Sequence, residues 1–147
     1  MMKFGLIGRN ISYSFSKKYF EQKFNRLSLP DYSYDLFDIQ QIEEIEKIFS
    51  IDNLRGLNVT IPYKEQVIPF LDELSDEAEK IGAVNCILIK NGKKIGYNTD
   101  VFGFEKSLLT YPKILSEKAL ILGNGGAAKA VKYIFDKYNI DYQIVSR

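Results

Sequence analysis

The chain has 147 residues, 46% hydrophobic and 27% charged, a globular composition with room for one domain and part of another. Its net charge of +1, without a long run of like charge, argues against an electrostatic grip on nucleic acid or on an anionic membrane. Cys86 is the single cysteine and there is no histidine, which excludes an internal disulfide, a multi-cysteine metal site and every serine–histidine triad, leaving proton chemistry to Lys, Asp, Glu, Tyr or water.

The first eight residues lack the apolar core of a signal peptide, and no apolar run approaches a membrane span, so a cytoplasmic protein is expected. Lys3–Ile7 reads as a short strand closed by Gly8. A helix is predicted from about Ser16 to Leu27, with Tyr19, Phe20, Phe24 and Leu27 at helical spacing. Tyr32–Phe37 alternates as a second strand. Ile39, Ile42, Ile45, Ile48 and Phe49 then mark one face of a helix whose other face is acidic. Leu57–Ile61 is a third predicted strand, and Pro62–Leu71 a third helix opened by its proline. Ser75 is a good N-cap for a short helix ending at Gly82. Strands Val84–Ile89 and Lys94–Tyr97 flank Asn91-Gly92, a strong hairpin signal. Asp100 is expected to cap a helix through Leu109, which Tyr111-Pro112 ends. Strands alternating with helices predict an α/β fold, a three-layer, mostly parallel sheet covered on both faces.

The last stretch changes character. Ala119–Leu122 is an apolar strand running into Gly123-Asn-Gly-Gly-Ala-Ala128, then a helix to about Tyr138 and a strand over Tyr142–Val145. This is a single β-α-β unit, the opening of a dinucleotide-binding (Rossmann) domain that needs about five or six strands. Residues 1–112 are therefore read as one domain and 113–147 as a truncated nucleotide-binding unit, a fragment of a longer protein. Its uncovered sheet edge and apolar faces predict weak nucleotide binding and self-association, as a homodimer or by strand exchange.

Gly123-x-Gly125-x-x-Ala128 fits the phosphate-cradling G-x-G-x-x-A pattern in the required strand–turn–helix context. At the end of the next strand stand Ser146-Arg147 instead of the acidic residue expected of an NAD site, and an arginine there suits a 2′-phosphate, so NADP is favoured. Lys64 falls in the first turn of the predicted third helix, at the positive end of its dipole, which would lower the amine's pKa toward the range of an acid/base catalyst, with Asp100 the candidate partner. Taken alone, it reads as a solvated lysine. Ser14, Ser16, Asn58, Thr60, Asn85 and Asp100, however, all fall at strand ends, where open α/β sheets gather their ligands. Hydroxyls, amides, one amine and one carboxylate suit a small polyhydroxy acid.

GLIG (5–8), S-x-S (14–16), NVTIPYKE (58–65), IGAVN (81–85), GYNTDVFG (96–103) and LGNGGAA (122–128), in this order, resemble shikimate dehydrogenase over the whole chain. The resemblance implies NADPH-dependent, reversible reduction of 3-dehydroshikimate to shikimate, a step toward chorismate and the aromatic amino acids. It further implies that Ser14 and Ser16 hold the substrate carboxylate. Asn58, Thr60, Asn85 and Asp100 would bind the ring hydroxyls, with Lys64 the acid/base paired with Asp100. Gly123, Asn124, Gly125, Gly126 and Ala127 would cradle the pyrophosphate, Arg147 the 2′-phosphate, and Asp76 would lie near the cofactor. A quinate or quinate/shikimate dehydrogenase would carry the same pocket residues, and the other alternative is a non-catalytic substrate-binding fragment that self-associates. Tyr13 and Lys17 stand where the family usually has histidine and proline, and the later cofactor strands, returning helices and substrate-binding glutamine of the family are missing.

Overall fold

The computed structural model describes residues 1–146. The strands are β1 (Met2–Gly8), β2 (Tyr32–Asp38), β3 (Leu54–Val59), β4 (Glu73–Leu74), β5 (Cys86–Lys90), β6 (Lys93–Tyr97), β7 (Ala119–Leu122) and β8 (Tyr142–Val145). The helices are α1 (Ser16–Arg26), α2 (Ile45–Phe49), α3 (Asp76–Ile81), α4 (Asp100–Leu108) and α5 (Gly126–Lys137). Six strands form one sheet in the order β2-β1-β3-β5-β6-β4, and β7 and β8 form a second.

In the larger sheet β1 runs parallel to both β2 and β3, and β4 parallel to β6, while β5 is antiparallel to β3 and β6. Three of the five pairings are thus parallel, as the alternation of strands and helices predicts. Side chains alternate across a strand, so each face of β1 feeds a separate core. Leu6, with Tyr34 of β2, packs beneath the Phe20 and Phe24 rings of α1. Ile7 points the other way, into a cluster with Ile45, Ile48, Leu57, Val59, Tyr63 and Val67. Helices therefore lie on both faces and the three layers are present. Gly5 and Gly8 permit this packing, since a Cβ at Gly8 would lie 2.5 Å from Ile11 and 2.6 Å from Thr60.

The second sheet is parallel, closed by α5, with its own core of Ile121, Ala130, Ile134, Phe135 and Ile140 joined to Val101 and Leu108 of α4. α5 begins and ends where the glycine-rich pattern predicts. No helix among the described residues is long and apolar enough to cross a membrane.

Several local expectations hold. Ser75 caps α3, accepting from the Ala78 N–H at 3.2 Å, and Gly82 ends it in the left-handed region at φ 66°. Asn91 and Gly92 both have positive φ, as a tight hairpin between right-twisted strands requires.

Three expectations fail. The isoleucine-lined helix is shorter: Ile39 precedes it, and a 3-10 turn over Ile42–Glu44 leads into α2. Asp100 is the first helical residue of α4 and Thr99 the N-cap. Most consequential, no α-helix spans 62–71. The segment is a series of turns followed by a 3-10 turn over Ile68–Phe70. Pro69 is the reason: inside a helix begun at Pro62 its ring would collide with the carbonyl of residue 65 and it has no N–H to donate. Lys64 is therefore not at a helix start, and the dipole argument for its basicity does not apply.

A candidate active site at one edge of the sheet

The topology gathers the polar residues. β1, β2 and β3 are mutually parallel and end at one edge, β5 runs the other way and begins there, and β6 reverses again and ends there. Ser14 and Ser16 follow β1, Asn58 and Thr60 sit at the end of β3, Asn85 precedes β5, and Asp100 follows β6. Residues far apart in sequence reach one edge because of strand direction alone.

Lys64 is placed by its neighbours. Tyr63, fully buried, donates its hydroxyl to the Ile39 carbonyl at 2.8 Å and accepts from Arg9 Nε at 3.2 Å, while the Arg9 guanidinium lies over its ring. The Tyr63 N–H donates to the Thr60 carbonyl at 2.9 Å, and the Lys64 carbonyl accepts from the Val84 N–H at 2.7 Å. These bonds tie the lysine turn to the strand edge on both sides. The ammonium then meets Asp100 at 2.7 Å, with 15% and 34% of the two side chains exposed. Asp100 faces the lysine with Oδ2 and accepts from Asn85 Nδ2 with Oδ1 at 2.8 Å. Its carboxylate is thus free of capping duty, which the buried Asn98 performs instead by accepting from the Val101 N–H at 3.3 Å.

The remaining predicted residues sort by contact. Ser14 Oγ and Ser16 Oγ are 3.1 Å apart, and Ser16 is the first residue of α1, so two hydroxyls converge at a helix start, a setting suited to an anion. Lys17 is held by Asp35 at 3.0 Å, and that bond and charge raise its pKa. Tyr13 is 86% exposed. The Asn85 carboxamide is committed on all sides: Nδ2 to Thr99 Oγ1 and Asp100, and Oδ1 to the Thr99 N–H at 2.8 Å and its hydroxyl at 3.1 Å. Its geometry orients Asp100 more directly than it offers a ligand contact. Asn58 accepts from Tyr34 at 2.8 Å.

Across a cleft of about 350 Å³ from Lys64 lies the glycine-rich turn. Gly123 has φ 112° and Gly125 is the extended N-cap of α5; a Cβ on either would point into open space, the room a phosphate pair needs against the backbone. Gly126 differs: a Cβ there would lie 2.9 Å from Lys64 Cβ, so this glycine lets α5 press against the lysine stem. Ala127 lines the cleft, and Asn124 is exposed in the turn. Glu65 and Lys129 join the lysine turn to α5 at 2.6 Å. Asp76, exposed on α3, is not part of this cleft lining, and Arg147 lies outside the described residues.

Residues 6–87 match the family model of the shikimate dehydrogenase substrate binding domain. The chain belongs to the shikimate dehydrogenase family. It is 44% identical over 140 residues to the shikimate dehydrogenase (NADP(+)) of Staphylococcus aureus (strain Newman), covering 93% of this chain and 52% of that one. The crystal structure of shikimate dehydrogenase 1 from Peptoclostridium difficile superposes with a TM-score of 0.88 at 35% identity, over 99% of this chain and 56% of that chain. The enzyme from Thermus thermophilus, crystallised in complex with NADP(H) and shikimate, gives 0.84 at 31% identity, over 100% and 56%. The chain spans about half the length of the curated relatives it matches.

Tyr34, Tyr63 and the Glu65–Lys129 pair are not among the sequence candidates. A tyrosine in an alternating strand reads as core, and ion pairs between residues so distant in the chain leave no local trace.

Proposed function

We propose that this chain carries the substrate half, residues 1–112, and the first cofactor unit, residues 113–147, of a cytoplasmic NADP-dependent shikimate dehydrogenase. The observation that carries the reading is the Lys64–Asp100 pair at 2.7 Å, set at the strand edge with Lys64 lining the cleft it shares with the glycine-rich turn. Ser14 and Ser16 hold the carboxylate of 3-dehydroshikimate, and Asn58, Thr60 and Asp100 take its ring oxygens, with Asn85 steadying Asp100. NADPH, when bound, supplies the hydride that reduces the ketone. Lys64 gives the carbonyl oxygen its proton as it becomes the shikimate hydroxyl, and takes that proton back in the reverse direction. Asp100 keeps the ammonium aimed while the lysine changes charge. Gly123, Gly125 and Ala127 present backbone to the pyrophosphate. Exposed Leu120, Leu122 and Val145 on the β7–β8 sheet favour self-association of this chain.

Calorimetry tests the reading. Shikimate is expected to bind the chain, and NADP to bind far more weakly because the cofactor sheet has two strands. Absence of any heat with shikimate at millimolar ligand would defeat the assignment of the substrate site.

Gly126→Ala probes the contact between α5 and the lysine. The added methyl must displace the Lys64 stem, and misplacing a catalytic group by about 1 Å can cost up to about 100-fold in rate. In a form of the protein with a complete cofactor half, kcat is expected to fall roughly 10- to 100-fold, and the melting temperature to drop with it because the Cβ that must move belongs to a hydrogen-bonded turn. An unaltered kcat would mean that the lysine does not depend on this packing.

A further inference from the structure

Tyr34 lies on β2, buried beneath α1, with its ring stacked on Phe20 at 4.2 Å and 9°. Pairing of Phe4 with Tyr34 and of Leu6 with Asn58 puts all four on the α1 face of the sheet. The Tyr34 hydroxyl reaches Asn58 Oδ1 at 2.8 Å, its one hydrogen bond among the described residues. Burial raises the phenol's pKa and keeps it protonated, with the nearby Cys86 adding to the effect. A buried hydroxyl proton needs an acceptor, and a carboxamide has one accepting end and one donating end.

Resting on the shikimate-binding reading above, we infer that Tyr34 is a positioning residue that fixes Asn58 as a hydrogen-bond donor toward the ligand. With Oδ1 turned to the phenol, the Asn58 amide leaves its Nδ2 protons as the end free to meet a ligand. The position then favours a ligand oxygen that accepts, a ring hydroxyl through its lone pair or a carbonyl. Stacking on Phe20 makes the arrangement rigid, because the ring cannot turn its hydroxyl away without breaking the α1 contact.

The test uses the 147-residue chain with Tyr34→Phe, Asn58→Ala, Asn58→Asp and the Tyr34→Phe/Asn58→Ala double variant, each titrated with shikimate. Tyr34→Phe keeps the stacked ring and removes only the proton, so binding is expected to weaken about 3- to 10-fold. Asn58→Ala should weaken it further, and the double variant should bind within about twofold of Asn58→Ala alone, because Tyr34 acts only through Asn58. Asn58→Asp keeps an acceptor for Tyr34 and removes the donor, and should bind no better than Asn58→Ala. Losses that multiply in the double variant, or an Asn58→Asp protein that binds like the parent, overturn the inference. In the ligand-free chain, the Asn58 side-chain NH2 signals in 15N-edited NMR should shift in Tyr34→Phe as the amide becomes free to rotate. Unmoved signals also overturn it. A parent chain that fails to bind shikimate while those signals do shift overturns the substrate reading and leaves the Tyr34–Asn58 orientation standing.

Discussion

Replacing Lys64 by alanine is expected to lower kcat for shikimate oxidation about 10²- to 10⁴-fold while shikimate affinity changes little, measured in a form of the protein with a complete cofactor half. That loss corresponds to about 3–5 kcal/mol of transition-state stabilisation, the range of one positioned proton donor. The reason lies in timing. On the proposed reading the ligand is held in the ground state by Ser14, Ser16 and the amides, none of which the substitution touches, whereas the lysine proton would matter most as charge develops on the carbonyl oxygen. Asp100 keeps its bond from Asn85 and a third of its surface in water, so the orphaned carboxylate does not collapse the site. Lys64→Met, which retains the stem packed against Gly126, should lose as much turnover as alanine. A variant retaining kcat within a few fold of the parent, or one that loses affinity and rate in equal measure, would remove Lys64 from the acid/base role.

Tyr63→Ala should have the largest effect on stability, about 3–5 kcal/mol, with a fall in melting temperature of roughly 10–15 °C in thermal unfolding. The side chain is fully buried, so its removal opens a cavity among Ile7, Val59 and Val67. It also strips the Ile39 carbonyl of its donor and leaves Arg9 without the ring beneath it. A protein stable by about 5–15 kcal/mol can survive that loss only narrowly. Tyr63→Phe separates the two contributions. It preserves the packing and removes only the hydroxyl, and is expected to cost about 1–3 kcal/mol for the buried carbonyl left unpaired. If alanine cost no more than phenylalanine, the ring would not be supporting the core as described. Because Tyr63 precedes Lys64 and its bonds fix the turn, loosening it should also disturb the 2.7 Å pair with Asp100.

The α/β class, the hairpin at Asn91-Gly92, the capped helix α3 and the glycine turn into α5 were all legible in sequence, because each depends on neighbours within a few residues. So were the strand ends that carry Ser14, Asn58 and Asp100. The lysine turn was not legible in this way: its opening proline suggests a helix, but the second proline, Pro69, forbids one. The helix-end argument for a tuned Lys64 therefore does not hold, while its expected partner Asp100 is in place.

Local chemistry determined which residue types stand at strand ends and where the chain turns, since φ restriction, capping and alternation act over a few positions. Only the tertiary structure decided that Lys64 meets Asp100, that Gly126 abuts the lysine stem, that Glu65 reaches Lys129, and that Tyr34 turns the amide of Asn58. Those contacts depend on strand direction and helix packing, which bring together groups 24 to 64 residues apart through burial and hydrogen bonding that no short stretch of sequence encodes.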